Sequence, residues 1–343
     1  MRAVYIEGFG GPEVLRLGRR PDPEPGPGEV RVRLHAAAVN HLDVWVRKGV
    51  ANPRLSFPHV LGADGAGVVD AVGPGVSEDL LGEAVVLNPG ISCGHCEACL
   101  SGADNLCPSY GILGEHTDGT YAEYVVVPRA NLVKKPGNLS FEEAASFPLA
   151  FLTAWQMVVD KLRVRPGEHV LVMAAGSGVG VAVLQIAKLY GARVIAAAGS
   201  EEKLQLAREL GADETVNYRE EGWHRRVREL TGGRGVDAVA DSTGREFWEG
   251  VIKATRSGGR IALVGATSGY EATTPLAHVF YRQLTIYGST MASKSRLFRI
   301  ARFFEEGRLR PVVGLTLPLE DAALAHRKLE EREVFGKVVL RVS

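Results

Sequence analysis

Cys93, Cys96, Cys99 and Cys107 all fall within SCGHCEACLSGADNLC, and they are the four cysteines of the chain. The pattern C-x2-C-x2-C-x7-C gathers four soft, ionisable sulfurs on one loop, as tetrahedral zinc requires with Zn–S bonds of about 2.3 Å. A shell closed by four thiolates leaves no position for a substrate, so the expected ion is one structural zinc per chain. Two disulfides are the competing use of these residues. They suit small secreted frameworks, whereas this chain has 343 residues and opens MRAVYIEGFGGPEVL, without an export or transit pattern. His95 lies inside the loop and, beside four thiols, reads as a solvated loop residue.

A second stretch, HVLVMAAGSGVGVAVLQIAK, sets Gly176, Ser177, Gly178, Val179 and Gly180 between an apolar run and a helical pattern. Glycines let backbone approach a pyrophosphate, and a helix N-terminus adds unpaired N–H groups and a positive dipole end. The spacing departs from G-x-G-x-x-G, since Ala175 and Ser177 stand where glycines would be. The strand before, the helix after and the next strand at the usual distance make dinucleotide binding the expectation all the same. That next strand, RVIAAAGSEEK, ends in Ala198, Gly199 and Ser200, with no carboxylate before Glu201. An acidic side chain there would bind a ribose 2′-OH and repel a 2′-phosphate. Its absence, with Ser200 as a donor and Lys203 as a cation, favours NADP(H) over NAD(H).

The elements around these motifs change character near residue 150. Before it, short β-type runs alternate with Gly/Pro turns: EVRVRLHAAAV, GAGVVDAV, EAVVLNPG and YAEYVVVP. After it, strands and helices alternate through HVLVMAA, RVIAAAG, TVNY, VDAVADS, RIALVGA and LTIYGST, which implies a parallel sheet covered on both faces. The tail reads as a helix from Lys294, a helix from Glu320 and a strand in GKVVLRV. The fold class is α/β: a β domain over 1–150, to which 289–343 returns, and a dinucleotide-binding domain over 151–288. Net charge is zero and no basic block stands out, which argues against nucleic acid. No apolar run reaches the ~18 residues of a bilayer span. The expected setting is the cytoplasm.

In sum these motifs resemble the medium-chain dehydrogenase/reductase superfamily, which includes zinc alcohol dehydrogenases and quinone oxidoreductases. The resemblance rests on the four-cysteine loop, GADGAGVVDAVG, GTYAEYVVVP, AAGSGVG and FGKVVL, in order from end to end. It implies a GroES-like β domain, a Rossmann domain and a cleft between them. The alcohol dehydrogenase branch holds a second, catalytic zinc on a cysteine, a histidine and a third Cys or Asp. Those positions are here Asn40, Ala63 (followed by Asp64 in place of glutamate) and Leu149, which cannot rebuild a three-ligand zinc site. The pattern of Val39, Asn40 and Asp43 is instead similar to zinc-free quinone oxidoreductases, which prefer NADPH. That likeness implies Lys203 and Tyr218 near the 2′-phosphate, Thr153 at the nicotinamide, and Gly265 among the cofactor-binding residues. The complete zinc loop is a feature those quinone reductases usually lack.

A zinc-free site needs the nicotinamide held against the acceptor carbon and a donor for the oxygen that gains charge. A quinone or enone spreads that charge by conjugation and demands less help than a simple ketone. The expected reaction is therefore hydride transfer from NADPH to an activated carbonyl compound. Asn40 is the candidate donor to the oxyanion, His41 a second donor or proton shuttle, and Asp43 the residue that orients either. Ordinary uses compete: Asn40 and Asp43 as a helix cap, His41 as a surface contact, Thr153 as helix packing. Two rivals remain, an alcohol dehydrogenase using an altered metal site built from His41, Asp43, His59 and Asp64, and a non-catalytic NADPH-binding protein. The family also implies a homodimer or homotetramer through the LTIYGST edge strand.

Overall fold

A computed structural model describes the whole chain, Met1–Ser343. It separates into two compact units, one formed by Met1–Leu149 with Ser293–Ser343, the other by Ala150–Ala292. The second boundary falls past the expected 288/289. Ser289 N–H still bonds to Leu263 O in the second unit's sheet. The chain rejoins the first unit at Ser293, whose hydroxyl donates to Asp104 Oδ1 at 2.7 Å.

In the first unit the strand Glu29–Val39 is the spine. Along its first half alternate residues face inward, with Val30, Val32 and Leu34 fully buried. Its second half, Ala36–Val39, is buried throughout and pairs antiparallel with Asp64–Val72 on one side and Lys337–Arg341 on the other. The register sets Ala38 opposite Asp64 and Val39 opposite Val338. The three strands therefore bring Asn40, Asp64 and Lys337 together just past the spine's end. Tyr124–Pro128 pairs with the first half of the spine, and Val313–Pro318 runs parallel to Lys337–Arg341. That last strand is absent from the sequence expectation, since GLTLPLE carries a proline and no clear period-two pattern. The core joins Val69, Val85, Leu87, Tyr121 and Leu340 to the spine's inward face.

The second unit is a six-stranded parallel sheet. His169–Val172 is flanked by Arg193–Ala198 and Val236–Asp241, and in chain order the strands lie 3-2-1-4-5-6. This is the dinucleotide-binding order, with its ligand crevice where the winding reverses, between strands one and four. Residues of the inner strands are buried on both faces, Val170, Val172 and Val194 on one and Leu171, Ile195, Val239 and Ile261 on the other, the latter covered in part by Trp223, Val227, Trp248 and Val251. Thr285–Gly288 is the outer strand at one edge. No helix in the chain is long and apolar enough to cross a membrane.

Candidate functional site

The zinc lobe is built from two short helical turns. Cys96 precedes the helix Glu97–Leu100, which carries Cys99, and Cys107 ends the turn Asp104–Leu106. All four sulfurs lie within 4.8 Å of one another, with Cys93–Cys99 at 3.9 Å and Cys93–Cys107 at 3.6 Å. Corners of a tetrahedron with 2.3 Å arms stand about 3.8 Å apart, so these separations fit a zinc ion and exceed a disulfide's ~2.05 Å. The cysteines are unpaired thiols. The N–H groups of His95 and Cys96 draw the Cys93 thiol down to about 6, while, against the Cys99 N–H, burial and the facing Cys99, Cys93 and Cys107 sulfurs push the Cys96 thiol up to about 11. A divalent cation removes that repulsion. His95 itself is exposed, with Nδ1 2.9 Å from Cys93 O.

The nucleotide turn follows His169–Val172. Ala174 takes a left-handed φ of 50°, and Ser177 caps the helix Gly178–Leu189 by accepting from Gly180 N–H at 3.0 Å. Val181 N–H bonds to Ser177 O. Gly178 and Val179 thus keep first-turn N–H groups that no helical carbonyl can reach. A Cβ on Gly180 would stand 2.2 Å from Ala174 O, so only glycine lets the helix close on the turn. Gly176 is buried within the turn. Small residues, a capped helix start and free N–H groups fit a pyrophosphate, although the strict motif is absent.

At the end of Arg193–Ala198, Ser200 caps the helix Glu201–Glu209, its Oγ accepting from Lys203 N–H at 3.4 Å. Tyr218 N–H bonds to Ala198 O, and the Tyr218 ring lies 4.4 Å from that of Phe247. A Cβ on Gly199 would meet Arg219 Nε at 2.8 Å and Tyr218 Cε2 at 3.1 Å. The exposed Arg219 thus reaches the strand end that Ser200 and Tyr218 frame. The sequence reading passed over it. Its signal lay in strand order: in a 3-2-1 arrangement Asn217 pairs with Ala198, so a residue just past the third strand reaches the end of the second. Gly265, with φ 76°, follows the strand Thr255–Leu263, in the loop where Val264 N–H bonds to Asp241 O.

In the first unit, Asn40, Asp43, Asp64 and Lys337 form one buried cluster. Asn40 Nδ2 donates to Asp64 Oδ2 at 2.9 Å and to Ala38 O at 3.3 Å, and Lys337 Nζ donates to Asn40 Oδ1 at 2.5 Å and Asp64 Oδ2 at 3.1 Å. Asp64 Oδ1 accepts from Leu149 N–H at 2.8 Å. Asp43 Oδ2 accepts from Asn40 N–H at 2.7 Å, the carboxylate half of a helix cap, and from Tyr121 OH at 3.1 Å. Burial pushes the Asp43 carboxyl up to about 7, against the Asn40 N–H and the Lys337 charge. Beyond Tyr121, His326 Nε2 lies 3.1 Å from the phenol oxygen, and Arg47 Nη1 donates to Nδ1 at 3.1 Å. A guanidinium only donates, so Nδ1 accepts and the imidazole proton sits on Nε2. The chain of bonds runs one way, from Arg47 through His326 and Tyr121 to Asp43.

Two expectations change here. Both Asn40 amide hydrogens are spent inside the protein, so Asn40 is not a free oxyanion donor, and Asp43, expected to orient Asn40 or His41, bonds to the Asn40 backbone and to Tyr121. The positions of a catalytic zinc do not fit a metal either: Ala63 and Leu149 offer no ligand atom, the Asn40 side-chain oxygen already accepts from the Lys337 ammonium, and the cysteine lobe is the one cluster of three or more ligating side chains in the structure. His41 is half-buried and bonded to no protein group. Burial, with the charges of Arg332 and Lys337, draws its imidazole down to about 4, so at neutral pH it is an uncharged ring with an N–H to offer. Thr153 is buried in the helix Pro148–Trp155, its hydroxyl 3.9 Å from Met291 Sδ.

A parallel sheet in dinucleotide-binding order and a β unit with a four-cysteine lobe define a nucleotide-dependent dehydrogenase class. Residues 26–137 match the alcohol dehydrogenase GroES-like domain and residues 178–306 the zinc-binding dehydrogenase domain. The chain is 33% identical to an alcohol dehydrogenase of Geobacillus stearothermophilus, over the whole of both chains. It is 31% identical to a quinone oxidoreductase of Rattus norvegicus, over 99% of this chain and 97% of that one. A crystal structure described as an NAD-dependent alcohol dehydrogenase superposes with a TM-score of 0.98 at 71% identity, covering all of both chains. The protein belongs to the zinc-type alcohol dehydrogenase-like family of medium-chain dehydrogenases/reductases, and it is an oxidoreductase.

Proposed function

We propose that this enzyme moves hydride between NADP(H) and an activated carbonyl compound, a quinone or an enone, without a catalytic metal. The observation that carries this reading is the Lys337 ammonium bonded to Asn40, at the first position a catalytic zinc would need, and to Asp64 beside the second, while Ala63 and Leu149 offer no ligand atom. A nicotinamide cofactor supplies the hydride. Gly176, Ser177, Gly178, Val179 and Gly180 hold its pyrophosphate and Gly265 lines its site. Ser200, Lys203, Tyr218 and Arg219 receive the 2′-phosphate, and Thr153 borders the nicotinamide. The His41 N–H is the donor for the acceptor's oxygen, a role it can fill while uncharged. Asn40 and Asp43 hold that turn in place. Zinc in the cysteine lobe is structural.

A second reading, an NAD-dependent alcohol dehydrogenase, is favoured by the description of the relative at 71% identity. Elemental analysis and paired assays separate the two. One zinc per chain, with turnover of 9,10-phenanthrenequinone by NADPH, is the expected result. Two metals per chain, or turnover confined to alcohols with NAD+, would establish the second reading. The reading also includes a cytoplasmic setting, where thiols stay reduced, and a homodimer or homotetramer.

A further inference from the structure

Two carboxylates are buried in one cluster at the end of the spine, where a facing positive charge is needed to hold them. Asp43 and Asp64 are 1% and 0% exposed, and Lys337 is the cation that bonds within their cluster. Its placement is set by backbone register, since the strand Lys337–Arg341 pairs with the spine at Val338–Val39. Its ammonium ties two elements together at once. One bond goes to Asn40, the residue that starts the helix His41–Arg47, and the other goes to Asp64, which also holds Leu149 N–H. Without it, Asn40 Oδ1 loses its donor and Asp64 is left a buried charge with only neutral partners.

We propose that Lys337 is a positioning residue of the active site: an internal cation that fixes Asn40 against Asp64 and thereby sets the orientation of His41, the first residue of the helix that Asn40 starts. This rests on the metal-free reading above. The ionisable groups facing His41 are Arg332, Lys337 and Lys48, which disfavour its protonation, and Glu330, which favours it. Those facing Asp43 are Lys337, Asp64 and Tyr121. Removing the Lys337 charge therefore makes both His41 and Asp43 easier to protonate.

The test uses the full chain with zinc bound, NADPH and 9,10-phenanthrenequinone as probes, and the His41 ring signal in NMR, assigned with His41→Gln. For Lys337→Met the expected result is a kcat at least tenfold lower, a KM for NADPH within twofold, and a His41 titration midpoint raised by about one pH unit. Lys337→Arg, which keeps the charge, recovers kcat to within about threefold. If Lys337→Met is poorly folded, the pair Lys337→Met with Asp64→Asn removes both buried charges together, and the same low kcat and raised midpoint are expected of it. A folded variant lacking the ammonium with wild-type kcat and an unmoved His41 midpoint would overturn the proposal, as would an Lys337→Arg protein as slow as Lys337→Met. The NMR arm needs no turnover. A wild-type enzyme inert toward activated acceptors therefore defeats the proposed activity, whereas an unmoved midpoint defeats the role of Lys337.

Discussion

At the scale of single residues, cofactor choice turns on the space around Gly199. Where a carboxylate would sit in an NAD-selective enzyme, this chain has a residue without a side chain, and the Arg219 guanidinium fills the gap. Arg219 forms no ion pair within the protein, so its charge is available to a phosphate. Arg219→Glu is expected to raise KM for NADPH at least tenfold more than KM for NADH, with kcat little changed, as read from steady-state kinetics with both cofactors. Equal KM changes would remove Arg219 from the phosphate site. Lys203→Glu is a weaker version of the same change, because Lys203 lies a turn into its helix.

At the scale of elements, the zinc lobe and the spine of the first unit act differently. The lobe is two short turns with little apolar material of its own. Its leucines Leu100 and Leu106 face solvent, 77% and 70% exposed. Metal ligation therefore has to supply what packing does not. Cys107→Ser is expected to lose the zinc and lower the melting temperature by about 5 °C or more, while KM for cofactor stays within twofold. Unchanged zinc content and melting would show the four-thiol reading to be mistaken. The spine needs no such staple, because strands pair on both its edges. What it provides is register: three strands from distant parts of the chain deliver Asn40, Asp64 and Lys337 to one point.

At the scale of the whole molecule, the second unit ends its sheet in Thr285–Gly288, an outer strand with Ile286 exposed. The preceding helix, Leu276–Tyr281, has no buried residue and turns Leu276, Phe280 and Tyr281 to solvent. An open edge beside exposed aromatics needs cover, and the proposed assembly would supply it with a second copy of the same edge around a two-fold axis. Light scattering is expected to give a dimer or tetramer. Ile286→Lys combined with Phe280→Glu is expected to shift it to the monomer, and a wild-type monomer would contradict the assembly.

Much of this protein was legible in its residues. Cysteine spacing announced the lobe because here all four sulfurs lie on one short loop, and the glycine turn announced its strand, turn and helix because they are contiguous. The alternation of apolar runs gave the parallel sheet for the same local reason. The missing zinc ligands at Asn40, Ala63 and Leu149 were visible one position at a time. Only the tertiary structure decided what bonds to Asn40 and to Asp64 beside Ala63. Lys337 lies 273 residues from Asp64, and nothing short of the pairing of their strands says that they meet. The same holds for Arg219 against Gly199, and for the Arg47–His326–Tyr121 chain that ends at Asp43. Local pattern determines which elements form; which side chains of distant elements share a buried space is set by register and burial, and that determines whether an amide is a free donor or an already bonded one.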